Sequence, residues 1–112
     1  MNVAELRAIA LALPGTVEQP HFDRTSFRVR TKIFATVSPD EKHVHVFVDE
    51  AQRETMIAFD PDVYEKLWWG RKVVGLRVAL ASVVPADIAA LLRSAWRRKA
   101  PKGLVRVLED AR

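Results

Sequence analysis

The sequence predicts one α+β domain, an antiparallel sheet of about five strands with an N-terminal and a C-terminal helix packed against it. Length and composition are the first grounds. The chain has 112 residues, of which 49% are hydrophobic and 29% charged; that is enough to bury one core, too short for two, and balanced like a globular protein. Periodicity is the other ground, because apolar residues recur at helical spacing near both ends and at every second position between them.

Asn2 followed by Glu5 suits a helix cap, and Val3, Leu6, Ile9, Ala10 and Leu13 fall on one helical face. Pro14 and Gly15 stop that helix. An acid at Glu5, the lack of a basic leader and the one-sided apolar spacing read as mature structure, not a signal peptide. Residues 16–24 read as a polar connection. From Ser26 the period becomes two, with Phe27 and Val29 on one face and Arg28 and Arg30 on the other. Thr31 marks a tight turn, residues 33–37 return, and the hairpin has a basic tip. Turn chemistry at residues 38–42 leads to Val44, Val46 and Val48 alternating with His43, His45 and Phe47.

Asp49 and Glu50 open a short helix to about Ala58, their charges suited to its positive end. Residues 61–64 add a helical turn. One or two strands follow between Trp68 and Val84, where Leu76, Val78 and Leu80 alternate with Arg77, Ala79 and Ala81. Pro85 starts the last long helix, with Ile88, Leu91, Leu92, Ala95 and Trp96 as its apolar stripe and Arg93, Arg97 and Arg98 opposite. Pro101 and Gly103 end it. Residues 1–105 are expected to form the domain and 106–112 a short tail, docked by Leu104, Val105 and Leu108.

The formal charge is +4, which favours an anionic partner. Its distribution says more than its total. Residues 1–60 carry 7 basic and 9 acidic side chains, net −2, and residues 61–112 carry 11 and 5, net +6. There is no cysteine, which excludes thiol nucleophiles and thiolate metal sites and fits a reducing, cytoplasmic setting. No apolar run approaches the roughly 18 residues of a membrane helix, so no membrane partner is expected.

A succession of segments resembles the MmcQ/YjbR family: LALPG at 11–15, PHF at 20–22, SFRVRTKIFATV at 26–37, PDEKHVHV and DEAQRETM, FDPDVY at 59–64, GLRVAL at 75–80 and VPADIAALLRSAWRRKAPKGL at 84–104. The match runs from about Leu11 to Val105. HVHVFV departs from a strand that in the family often ends in a lysine-containing pair, and Trp68 and Trp69 have no counterpart motif. The resemblance implies an antiparallel sheet with helices on it and a proposed double-wing mode of DNA binding, in which hairpins act as wings. It implies no catalytic residues.

Two candidate surfaces follow. Arg28, Arg30 and Lys32 on the hairpin, with Arg93, Arg97, Arg98, Lys99 and Lys102 of the densest basic run, could meet the phosphates of double-stranded DNA without reading sequence. The same cations would also serve as a solvated face, or balance a helix dipole. Arg106 extends the run. The alternative is a small-ligand or protein-binding surface made by His21, Phe22, Tyr64, Trp68 and Trp69.

His43 and His45 have a spacing usable for two metal ligands but no signalled third. Glu18, His21 and Asp23 are close enough for acid/base chemistry, which ordinary loop polarity explains equally well. The chain lacks GxGxxG, GxxxxGK, HExxH and GxSxG. No catalytic residue, metal or cofactor is therefore expected.

Overall fold

The computed structural model describes residues 1–110 as four helices and one six-stranded antiparallel sheet. In chain order the elements are α1 (Val3–Leu11), β1 (Thr16–His21), β2 (Arg24–Val29), β3 (Lys32–Val37), β4 (His43–Val46), α2 (Glu50–Phe59), β5 (Tyr64–Trp69), β6 (Lys72–Ala79), α3 (Pro85–Lys99) and α4 (Lys102–Asp110). The strand order is β1-β2-β3-β4-β6-β5. The α2 crossover carries the chain past β6's place, so β5 becomes one edge of the sheet and β1 the other.

The helices begin where their caps place them. Asn2 Oδ1 accepts from Glu5 N at 2.9 Å, and Asp49 Oδ1 accepts from Gln52 N at 2.8 Å, each satisfying a donor that the first turn leaves free. Pro85 occupies the first turn of α3, where its missing N–H costs nothing. The stripe Ile88, Leu91, Leu92, Ala95 and Trp96 is fully buried, packed towards Phe27, Val29, Val44, Val46, Leu76 and Val78 in one core with Leu6 and Ala10 of α1.

Three segments differ from expectation. Residues 61–63 form a turn, and Tyr64, expected to close a helical turn, begins β5. Residues 16–21 form β1, paired along its whole length with β2 from Thr16↔Val29 to His21↔Arg24. No apolar alternation announces it, because an edge strand wet on one side tolerates polar residues and Pro20. Residues 102–110, within and just before the expected short tail, are helical as α4, with Leu104, Val105 and Leu108 half-buried against the core. The last two residues of the expected tail, 111 and 112, lie outside the described residues.

One junction ties the ends of the chain to the sheet. The Trp96 indole Nε1–H donates to the carbonyl of Pro14 at 3.0 Å. Next to it Gly15 sits at φ +68, where a Cβ would lie 2.9 Å from Leu104 Cδ1 and 3.9 Å from Val29 Cγ2. The end of α1, the end of α3, the start of α4 and the tip end of the β2–β3 hairpin therefore meet at one point.

The face of the sheet turned away from the α3 core is polar. Register aligns Gln19, Ser26, Thr36, His45, Arg77 and Glu65 as one row across all six strands. Arg24 Nη1 lies 3.3 Å from His45 Nδ1, and Arg77 bonds both His43 Nδ1 and Glu65. A guanidinium can only donate, so His45 Nδ1 accepts and its proton sits on Nε2. That Nε2 is buried and has no hydrogen-bond partner among the described residues. Burial first, then the charges of Arg24, Arg77 and His43, push His45 down to about 4, against an opposing pull from Glu65.

Two measurements check this packing. Trp96→Phe, which removes the indole donor and part of its volume, is expected to cost about 1–3 kcal/mol in urea unfolding. His45 is neutral in the fold and titrates near 6.5 when unfolded, so below that pH the unfolded chain binds the extra proton. Stability is then full above about pH 6.5 and falls as pH drops towards 4, by roughly 1–2 kcal/mol after solvent screening. His45→Asn should flatten that limb of the stability curve between pH 6.5 and 4; an unchanged slope would remove His45 as its cause.

Candidate nucleic-acid interface

Antiparallel pairing decides which turns share an end of the molecule. Val29 pairs with Lys32 across the β2–β3 turn, and Trp69 pairs with Lys72 across the β5–β6 turn. Between them, Ala35 pairs with Val46 and Val46 with Leu76. The start of β3, the end of β4 and the start of β6 thus lie at one end, so both hairpin tips project there. The α3–α4 junction joins them through Leu104, Gly15 and Val29. Arg98 Nη1 confirms the placement by donating to the carbonyl of Phe47, just beyond β4, at 2.9 Å.

This end gathers Arg30, Lys32, Arg71, Lys72, Arg98, Lys99 and Lys102. Asp49 and Glu50, which open α2, are the acids beside it. The opposite end holds the β1–β2 turn, the β3–β4 turn and the α2–β5 connection, tied to the chain start by Met1 N donating to Leu80 O and by Leu80 N donating to Lys42 O. Asp23, Asp40, Glu41, Asp60 and Asp62 lie there, with Arg24 and Lys42. The chain's charge asymmetry becomes a polarity in space.

The two tips are built differently. Arg30 and Thr31 both have positive φ, 51° and 68°, the backbone of a two-residue type I′ turn made without glycine. The second tip places Gly70 at φ +61 in the first central position, where a II′ turn needs it. Arg30, Lys32, Arg71 and Lys72 are all exposed.

The basic candidates separate into two groups. Arg30, Lys32, Arg98, Lys99 and Lys102 converge on the basic end. Arg28 turns back over the polar face, donating to Ser26 Oγ at 2.9 Å and to the Pro20 carbonyl at 3.3 Å. Arg97 bridges Glu109 of α4 at 3.0 Å, and Arg93 lies about 9 Å up α3 from Lys99 at 1.5 Å per residue. Arg71 and Lys72 join the basic end without standing among the sequence candidates. The Gly70-Arg71-Lys72 run after two aromatics was the available signal, a turn residue followed by cations.

The aromatic candidates do not converge. His21 and Phe22 lie at the β1 edge and Tyr64, Trp68 and Trp69 on β5, separated by five strand steps, or roughly 24 Å at about 4.8 Å each. His21 and Phe22 contact each other edge to face at 4.7 Å, and Phe22 is 93% exposed at positive φ. Tyr64 is buried in the core; burial, then Asp87 and Asp60, raise its phenol to about 12. Both adjacent tryptophans are exposed, Trp68 by 58% and Trp69 by 79%. Trp68 borders an open groove of about 620 Å³ with His45, Glu65, Leu67 and Arg77.

The remaining titratable candidates have structural partners. Glu18 accepts from Arg7 Nε at 2.7 Å and from Thr25 Oγ1 at 2.8 Å, and the Arg7 hydrogen bond holds its carboxyl below the ordinary range. Asp23 pairs with Arg24 at 3.4 Å. His43 and His45 each turn Nδ1 to a different arginine, and among the described residues no group of three His, Cys, Asp or Glu side chains is placed to hold a metal.

Known proteins agree with this architecture. No curated protein matches the chain. Among solved structures, it is similar to the Deinococcus radiodurans protein DR2400, which carries the domain DUF419. The TM-score is 0.77 at 21% identity, over 91% of this chain and 80% of that one, a likeness of fold. A model of the YjbR family matches residues 11–98, from the end of α1 to the last turn of α3, and the chain belongs to that family.

Proposed function

We propose that this protein binds double-stranded DNA with little sequence preference through its basic end, the two hairpin tips acting as wings on either side of the α3–α4 junction. The observation that carries this reading is the shared placement of Arg30 and Lys32, Arg71 and Lys72, and Arg98, Lys99 and Lys102. Exposed Lys and Arg on projecting turns meet phosphates, and phosphate contacts supply affinity without reading bases. The surface lacks what base readout needs, since the elements projecting at this end are turns and a helix C-terminus and not a helix laid lengthwise for a major groove.

The test is a fluorescence anisotropy titration with a short duplex at several salt concentrations. Log affinity should fall linearly with log salt, by about 0.9 per phosphate neutralised. Lys32→Ala and Lys72→Ala should each flatten that slope by about 1. Lys42→Ala, at the opposite end, should leave it unchanged. No binding at low salt overturns the reading, and so does a slope that responds to Lys42 and ignores both wings.

A further inference from the structure

The wings are unequal, and the difference points to a preferred form of DNA. The first tip is Arg30, Thr31 and Lys32, with no aromatic residue. The second is Trp69, Gly70, Arg71 and Lys72, and it carries an indole that is 79% exposed. The chain has three tryptophans. Trp96 is fully buried with its N–H satisfied, and Trp68 is less exposed than Trp69. Trp69 thus stands out, a large apolar surface left in water at the end of a strand.

Its surroundings identify an occupant. Trp69 pairs directly with Lys72 across the turn, and paired residues have Cα atoms roughly 5 Å apart. Exposed Arg71 is next to Lys72, and Arg30 and Lys32 project from the same end. An apolar protein partner would leave these cations unpaired or desolvated. A nucleotide offers both chemistries together, a flat π-face for the indole and a phosphate for the ammonium group. Inside an intact duplex that π-face is covered by neighbouring bases, and it becomes available where bases are unpaired or unstacked.

Building on the DNA reading above, we infer that Trp69 stacks on an unpaired base while Lys72 and Arg71 hold the adjoining phosphates. The protein then prefers duplexes with single-stranded overhangs or junctions to continuous duplex. The glycine at Gly70 serves this arrangement: at φ +61 it carries no side chain next to the indole, and no residue other than its chain neighbours comes within 4 Å of its Cβ position.

The deciding experiment compares a labelled blunt duplex with the same duplex bearing a short single-stranded 3′ overhang, by anisotropy at one low salt concentration. The wild type should bind the overhang substrate at least about fivefold tighter, the size expected of one base–aromatic stack. Trp69→Ala should bring the overhang substrate to the blunt level and leave blunt-duplex affinity and its salt slope unchanged, while Trp69→Phe keeps most of the preference. Circular dichroism should show both variants folded, as the side chain is exposed. Equal binding of both substrates by the wild type, or a preference that survives Trp69→Ala, overturns the inference and leaves duplex binding standing. Failure of both substrates to bind overturns the duplex reading with it. Should sedimentation show a dimer that Trp69→Ala converts to monomer without any effect on DNA, the indole belongs to self-association and the inference fails.

Discussion

The arrangement depends on one constraint, the fixing of the Pro14–Gly15 corner against Trp96 and Leu104. An antiparallel sheet sends alternate turns to opposite ends, which by itself puts both β2–β3 and β5–β6 at one end. It does not say where helices finish. The buried indole bond to Pro14 and the packing of Leu104 over Gly15 bring the C-terminus of α3 and the start of α4 beside the tip end of the first hairpin. Without that corner the cations of residues 98–102 would have no fixed relation to the wings. The corner is apolar and stereochemically narrow: Gly15 is at positive φ, and the space beside it is filled by Leu104.

Charge then acquires a direction. The molecule measures 35 × 29 × 28 Å, while electrostatic interactions at physiological salt are screened over about 8 Å. The acids at the far end therefore do little to cancel the field of the basic end. Long-range steering of an anionic polymer favours approach of that end first. The polar row on the open sheet face plays a different part. Its arginines are occupied by His43, His45, Glu65, Ser26 and the Pro20 carbonyl, so they neutralise and order side chains on the sheet and contribute little to a free cationic surface.

Much of the fold was legible because its signals are local. Asn2 and Asp49 cap within three residues, the valines of β4 alternate with histidines, and the α3 stripe from Ile88 to Trp96 recurs at helical spacing. β1 was not legible, since Thr16, Glu18 and Gln19 announce no buried face and the strand exists through pairing with β2. α4 was hidden by its length of nine residues and by Pro101 and Gly103, which read as terminators although α4 begins between them. The site was legible only as composition. That both hairpin tips share one end, that Arg28 reaches back to Pro20 on the next strand, and that His21 and Trp69 lie on opposite sheet edges are all consequences of strand order. Strand order rests on the α2 crossover, which no short window of sequence contains.

Amide chemical-shift mapping of the isotope-labelled protein with a short duplex tests the central claim most directly, because it reports both ends of the molecule at once. Perturbations should concentrate at residues 30–32, 69–72 and 98–102, with residues 22–23, 38–42 and 60–62 silent. Shifts confined to the acidic end, or to the polar sheet face around His45 and Arg77 with both hairpin tips silent, would contradict the account.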